Sequence, residues 1–299
     1  MSPAGRHHPS RGIVAMLIAV AAFSMMDATL KWLSKDLDPM QLTALRGLLA
    51  LPLALAWVHR RQHLSLFWPS RSRLYVIRGV LGVIMLWSFT KGLDGLALSE
   101  AYMVLFLAPV IITLLAGLFL HEPIRGFHWV ILTLNLLAIG FVLRPSVSGL
   151  LSVDGLWMLI STICYALGAV IMRLQSRTDS TDIQVLWLTL FMAGLALPLS
   201  WSSWQPILAH HIPLLLLMTL TGFVGQVAIT SAFFHARAAT VTPFEYSALA
   251  WGLILDVALW QIWPHPSMLV GAAVIVACGV WLARRETKAP VPAPSAPLP

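Results

Sequence analysis

Charge is scarce in this chain: 12 acidic and 19 basic side chains among 299 residues leave 10% charged against 59% hydrophobic. A soluble globule of that length needs far more polar surface to cover itself, so a water-soluble fold is excluded. Cysteine is almost absent. Cys164 and Cys278 sit far apart inside apolar stretches without metal-type spacing, and they read as small packing residues. The sequence contains no His-Glu-x-x-His, no Gly-x-Gly-x-x-Gly and no Gly-x-x-x-x-Gly-Lys-Ser/Thr. Without a convergent nucleophile, base or ligand set, no enzymatic activity is expected, and no catalytic residue, cofactor or metal is assigned. ATP-driven transport by this chain alone is excluded on the same ground.

What the chain has in abundance is apolar length. Ten stretches stand out: 12-33, 39-58, 74-91, 95-120, 127-143, 155-173, 182-200, 212-234, 240-262 and 266-283. A hydrocarbon core about 30 Å thick needs roughly 20 helical residues rising about 1.5 Å each, which these stretches supply with little to spare. Thirteen basic residues fall in alternate gaps: Arg6, Arg11, Arg60, Arg61, Arg71, Arg73, Arg125, Arg173, Arg177, Arg237, Arg284, Arg285 and Lys288. The intervening gaps hold only Lys35, Lys91 and Arg144. By the positive-inside rule the basic side is the cytoplasm, which puts both termini there, as an even number of spans requires. The net charge of +7 belongs to loops facing anionic lipid, so a lipid bilayer is expected as partner and nucleic acid is not.

The first stretch, with Arg6 and Arg11 before it, has the look of a signal peptide, but its apolar pattern runs on to Leu33 and its removal would leave an odd number of spans. From Ala289 to Pro299 five prolines in eleven residues describe a polyproline-like or disordered tail. The organisation expected is therefore a cytoplasmic tail at 1-11, five helices in 12-145, a connector at 146-154, five helices in 155-285 and a Pro-rich cytoplasmic tail at 286-299. The two halves echo one another. At an offset of 143, Gly12 meets Gly155 and Gln41 meets Gln184, while the segment from Ala97 to Phe119 meets that from Ala238 to Trp260 at an offset near 141. Five is odd, so two similar halves in series cross the membrane in opposite directions. The fold class is an all-α membrane protein: ten transmembrane helices as two inverted five-helix repeats, in a cell's inner (cytoplasmic) membrane. Such repeats place a small-molecule site near the midplane and alternate its access.

Several residues carry a resemblance to a known family. These are Phe23, Asp27 and Lys31 in the first span, Arg46 in the second, Leu107-Ala-Pro109 in the fourth and Gly117-Leu-Phe-Leu-His-Glu122-Pro123 at its end. Pro243, Tyr246 and Gly271-Ala-Ala-Val-Ile-Val-Ala-Cys-Gly279 continue it in the second half. With this span number and these short loops, the chain resembles the EamA-type members of the drug/metabolite transporter superfamily over nearly its whole length. It departs from them at Trp260-Gln-Ile-Trp263-Pro-His-Pro266, where the family's glutamate-containing element is lost while the first half keeps Glu122. The resemblance implies export of small metabolites, with amino acids, nucleosides and drugs as the usual classes.

Ionisable groups inside spans cost about 2.5 to 3.5 kcal/mol each at mid-helix, so each needs a partner, a wet cavity or a function. Asp27 and Lys31 lie one turn apart on one face and can pair, with Arg46 joining the cluster or snorkelling outward. An ion-pair lock between two spans and direct substrate contact are both open for them. Glu100 and Tyr102 at the outer end of the fourth span, and Glu245 and Tyr246 at the inner end of the ninth, have the placement of two gates; hydrated interfacial glutamates are the alternative. Asp256 lies deeper in the ninth span. Gln226 and Thr230 in the eighth span, Ser88 and Asn135 offer hydrogen bonds, either to a ligand or as interhelical glue. Most tryptophans fit interfacial belts, whereas Trp87, Trp187, Trp251 and Trp260 lie within spans and can wall a cavity or pack against lipid. Pro52 and Pro109 permit kinks.

The candidate substrate-binding or gating residues are thus Asp27, Lys31, Arg46, Trp87, Glu100, Tyr102, Gln226, Glu245, Tyr246 and Trp251. Carboxylates, a cation and apolar walls suit a zwitterion, so the expected function is secondary transport or facilitated export of amino acids, apolar and aromatic ones included. A multidrug or nucleoside exporter is the alternative, and a non-transporting membrane scaffold the rival from another class. Proton coupling through Glu100, Glu245 or Asp256 and plain facilitated diffusion both remain open. The small residues of the tenth span allow close packing within one chain or between two, which leaves monomer and homodimer unresolved.

Overall fold

The computed structural model describes residues 8–60, 71–143 apart from 97, 122, 123 and 125, 152–263 and parts of 270–284. Among them every element is helical. In chain order these are α1 (Pro9–Leu33), α2 (Pro39–Arg60), α3 (Ser72–Gly92), α4 (Leu98–Leu105), α5 (Ala108–Leu120) and α6 (Gly126–Leu143). There follow α7 (Val153–Gln175), α8 (Thr181–Ser200), α9 (Ile212–His235), α10 (Ala238–Val241) and α11 (Ala248–Trp260). Six of them, α1 to α3 and α7 to α9, are long and apolar enough to cross a membrane. Residues 1–7, the C-terminal tail, Glu122, most of the 146-154 connector, the side chains of Glu100 and Asn135, and much of the 266-283 stretch lie outside the described residues, while Pro9 to Arg11, expected in the N-terminal tail, belong to α1.

Two of the expected continuous spans are broken. The 95-120 stretch divides into α4 and α5 at Phe106 and Leu107, because Pro109 in the first turn of α5 has no N–H to return to the preceding turn. In the 240-262 stretch, Pro243 opens a 3-10 helix, Thr242–Ser247, between α10 and α11. The two breaks approach each other across the bundle, with Thr113 Oγ1 3.3 Å from Thr242 Oγ1. Both second pieces, α5 and α11, are 13 residues long and close on a left-handed residue, His121 (φ 53°) and Gln261 (φ 58°). Elsewhere starts are conventional: Asp38 Oδ1 accepts the Met40 N–H at 2.8 Å to cap α2 ahead of Pro39, and Ser152 Oγ accepts the Gly155 N–H at 3.0 Å to cap α7.

The long helices are apolar nearly all round, and what sorts their faces is where polar groups go. Outward faces carry Val14, Leu17 and Ile18 on α1, Val76, Ile77 and Val80 on α3, and Leu156, Ile160 and Ile163 on α7, all exposed. Such a surface needs lipid around it. The interior takes Asp27, Gln41, Arg46, Arg78, Gln175, Gln184 and Glu245, all buried. With six helices of membrane-spanning length and such outward faces, the chain is a multi-pass membrane protein.

Packing is pairwise: α1 lies along α9, α2 along α8 and α3 along α7. The buried apolar residues form two principal clusters. One, around Leu30, Leu33, Leu86, Leu98, Tyr246 and Leu253, fills the end of the bundle near the α1–α2 turn; the other, around Ile13, Met16, Ile112, Ala169, Phe233 and Val241, fills the opposite, basic end. The basic end is tied by Arg173 donating to Phe233 O at 2.6 Å and Arg177 donating to Leu120 O at 2.9 Å. At the far end Gln41 exchanges two hydrogen bonds with the Gln205 backbone, at 2.8 and 2.9 Å.

At the α2–α8 crossing, a Cβ added to Gly47 would overlap the backbone of Met192 and Ala193. Overpacking of that kind costs about 1 to 3 kcal/mol. Gly47→Ala should therefore lower the thermal unfolding midpoint in detergent by several degrees. Gly194→Ala, which meets nothing within 4 Å, should leave it unchanged.

Candidate functional site

Between the two apolar clusters the bundle encloses a cavity of about 190 Å³. Its walls come from α1, α2, α3, α4, α7, α8, α9, the 3-10 helix and the first residue of α11. Met16, Met26, Met85, Met172 and Met192 supply much of the apolar lining. Five unbranched, polarizable thioethers give a surface that adapts to different apolar shapes.

At the far-end side of the cavity Tyr102 of α4 donates its hydroxyl proton to Asp27 Oδ2 of α1 at 2.9 Å. Arg46 of α2 attracts the same carboxylate and lies 5.8 Å from the Phe23 ring centroid. At the basic-end side Tyr165 of α7 hydrogen-bonds the Glu245 carboxylate, which the 3-10 helix carries. Arg78 of α3 donates to Gln175 Oε1 at 2.7 Å and to Gln184 Oε1 at 3.2 Å. Gln184 is fixed in turn by its own donations to Ser176 Oγ and Asp179 O at 3.2 and 3.3 Å. Below it Tyr75 donates to Asp179 Oδ2 at 2.9 Å.

The charges are thus answered unequally. Asp27 and Arg46 compensate each other. Arg78 holds two neutral amide oxygens, and Glu245 holds a neutral tyrosine, its Oε1 having no hydrogen-bond partner.

Of the sequence candidates, Asp27, Arg46, Tyr102, Gln226 and Glu245 line this one cavity. Gln226 also donates to Thr230 Oγ1 on its own helix at 3.2 Å. Lys31 lies outside the lining, its ammonium donating to Leu96 O at 2.8 Å and standing 5.2 Å from the Trp260 ring centroid. Trp87 packs edge-on against Trp157 at 5.1 Å, and Trp251 is 37% exposed on the outer surface. Tyr246 is fully buried in the far-end cluster, 5.3 Å from Phe106, and does not line the cavity. The side chain of Glu100 lies outside the described residues.

Sequence reasoning missed Arg78 and Tyr165. Arg78 sits about a turn inside the apolar stretch 74-91, and the cost argument applied to Asp27 would have found it. Tyr165 carries no such mark, since its partner lies 80 positions away.

One group of potential metal ligands exists among the described residues, Asp36, His210 and His211 at the far end. His211 Nδ1 accepts the Leu208 N–H at 3.2 Å, which leaves the ring proton on Nε2, 3.4 Å from Asp36 Oδ2. That is a hydrogen bond between two segments, with no lone pair offered to an ion.

Comparison with known proteins gives one consistent result. A family model described as the EamA-like transporter family matches residues 10–144 and again 155–284. The chain is similar to the pseudopaline exporter of Pseudomonas aeruginosa, 26% identical over 277 residues covering 92% of this chain and 96% of that one. It is also similar to an S-adenosylmethionine uptake transporter of Rickettsia felis, 23% identical over 280 residues covering 93% and 94%. One solved crystal structure shares the fold, with a TM-score of 0.76 at 17% identity over 94% of this chain and 99% of that one.

Removing the hydroxyl of Tyr102 leaves a buried carboxylate one donor short, a loss of about 1.5 to 3 kcal/mol for a bond to a charged group. Tyr102→Phe should lower the unfolding midpoint in detergent. An unchanged midpoint would mean that Arg46 alone satisfies Asp27.

Proposed function

The chain belongs to the EamA-like transporter family, and from that premise we propose that this small-molecule transporter carries amino acids, apolar and aromatic ones included, by alternating access between two inverted five-helix repeats. The observation that carries the substrate class is the pair of unequally answered charges on one cavity. Arg78, held by neutral amides, is available to a carboxylate; Glu245, held by a neutral phenol, is available to an ammonium. The methionine wall receives the side chain. A dry cavity of about 150 Å³ accepts benzene, so about 190 Å³ accommodates a side chain with one ring in this conformation. The two charges and the methionine wall together favour the amino-acid reading over a nucleoside or a cationic drug.

Several observations support the repeat. At the offset of 143, Gly79 and Gly82 of α3 correspond to Gly222 and Gly225 of α9, and each pair abuts side chains of neighbouring helices. At an offset of 140, one less than the sequence suggested, α5 corresponds to α11 from first residue to left-handed cap. Exchanging the halves turns the α1–α9 pair into the α7–α3 pair and returns α2–α8 to itself. Inverted halves with a site between them can rock to open either side. The two relatives are named for opposite directions, export and uptake. The gradients across the membrane set the direction in which a carrier of this kind runs, and export of an amino acid is the proposed direction.

In proteoliposomes the purified protein should catalyse counterflow of labelled leucine and phenylalanine. Counterflow of a cationic drug or a nucleoside with none of any amino acid would overturn the reading, and the absence of any ligand-induced thermal shift would favour a scaffold. Arg78→Gln should raise the KM for phenylalanine by about tenfold or more, as the loss of a charged hydrogen bond implies. It should leave binding of the corresponding amine, which lacks the carboxylate, little changed. For topology, a reporter fused after Lys288 should read as cytoplasmic and one inserted beside Lys35 as external.

A further inference from the structure

Glu245 offers a feature that amino-acid transport by itself does not require. It is 9% exposed, it lines the cavity, and its Oε1 has no hydrogen-bond partner. Asp27, the other cavity carboxylate, has a phenol donor and a guanidinium within reach of its field. The charged and titratable groups near Glu245 are few. Among the elements packed against the 3-10 helix, α1 brings Arg11, which is exposed on the outer surface, with Asp27 and Lys31, α6 brings His128 and α11 brings Asp256, while α5 and α10 bring none. Tyr246 stands beside Glu245, and α7 contributes Tyr165, Cys164 and Arg173, of which Tyr165 bonds the carboxylate and Arg173 is engaged with Phe233 O. Arg78, across the cavity on α3, is held by its two glutamines.

A carboxylate without a cation in such surroundings is costly, and its charge is cancelled either by a proton or by a cationic ligand. Both cancellations act on the one carboxyl charge, so they exclude each other. We infer that Glu245 is a proton-exchange site and that the protein is a proton–amino acid antiporter, the substrate ammonium displacing the proton of the Glu245 carboxyl group.

In the empty cavity Glu245 is a neutral acid. When the zwitterion enters, the O–H bond of Glu245 breaks, its proton leaves to water on the open side, and the carboxylate so formed pairs with the ammonium. On the other face the ammonium leaves and water returns one proton to Glu245. Each cycle moves one substrate one way and one proton the other, with no further reactant. Tyr165 is a positioning residue here, its hydrogen bond holding the Glu245 carboxyl group at the cavity wall.

This inference rests on the amino-acid reading of the cavity, and its test separates the two. The probe is phenylalanine, with counterflow establishing transport and difference infrared spectroscopy of the full-length protein following the C=O stretch of protonated carboxyls. Wild type should lose part of that band on adding phenylalanine and release about one proton per substrate bound, with apparent affinity falling about tenfold per unit of added acidity, as reciprocal linkage requires. In Glu245→Gln the ligand-sensitive band and the proton release should vanish and affinity should become independent of pH. Asp256→Asn, outside the cavity, should keep both signals. An acid-inside gradient should drive phenylalanine uptake by wild type and not by Glu245→Gln. Phenylalanine counterflow with no proton release, or with a ligand-sensitive band that survives in Glu245→Gln, overturns the antiport while leaving amino-acid transport standing. Absence of counterflow for every amino acid overturns both.

Discussion

A charged side chain inside this bundle lies out of reach of the polar lipid headgroups, so it is answered from another helix or from the cavity. The bond from Tyr102 to Asp27 is the clearest instance. It ties the short α4 to α1, and α4 is short because the span it begins is broken ahead of Pro109. On the other side of the cavity the bond from Tyr165 to Glu245 ties α7 to the 3-10 helix, where the corresponding span is broken at Pro243. Polar groups and broken helices therefore occur together. The cavity lies where they meet, between two separate apolar clusters that fill the ends of the bundle.

The two acid–tyrosine pairs occupy corresponding helices of the proposed repeat with their parts exchanged. The first half keeps its acid on α1 and its tyrosine on the broken span; the second keeps its tyrosine on α7 and its acid on the broken span. The cations do not follow the repeat. Arg46 and Arg78 both belong to the first half, and the positions 143 residues on are Thr189 and Thr221. Chemical asymmetry is thus laid over geometric likeness, which is what leaves one acid compensated and the other not.

The all-helical, membrane-spanning character was legible because it rests on composition and apolar length, both of which survive without knowledge of contacts. Asp27, Arg46 and Glu245 were legible as costly residues, and the cost argument says where to look without naming a partner. Partners across helices are a matter of packing, so nothing in the sequence joined Tyr165 to Glu245 or Tyr102 to Asp27. The i, i+4 spacing of Asp27 and Lys31 suggested a shared cluster, yet one residue lines the cavity while the other reaches Leu96 O and Trp260. Tyr246, adjacent to Glu245, turns into the far-end cluster because neighbours on a 3-10 helix face different ways. The breaks were half-visible: Pro109 marked the first, while the six-residue unwinding after Pro243 has no counterpart of equal length in the first half.

The crossing at Gly47, where α2 meets the backbone of α8, leaves no side chain between the two helices to be compressed. It can act as a fulcrum. The ends of α2 and α8 lie about 10 to 20 Å from it at 1.5 Å per residue, so a swing of about 10° moves them about 2 to 3 Å. That travel matches the length of a hydrogen bond, such as those of Tyr75 with Asp179 at one end and Asp36 with His211 at the other. Both bonds are closed together here, so each resists a swing about that crossing.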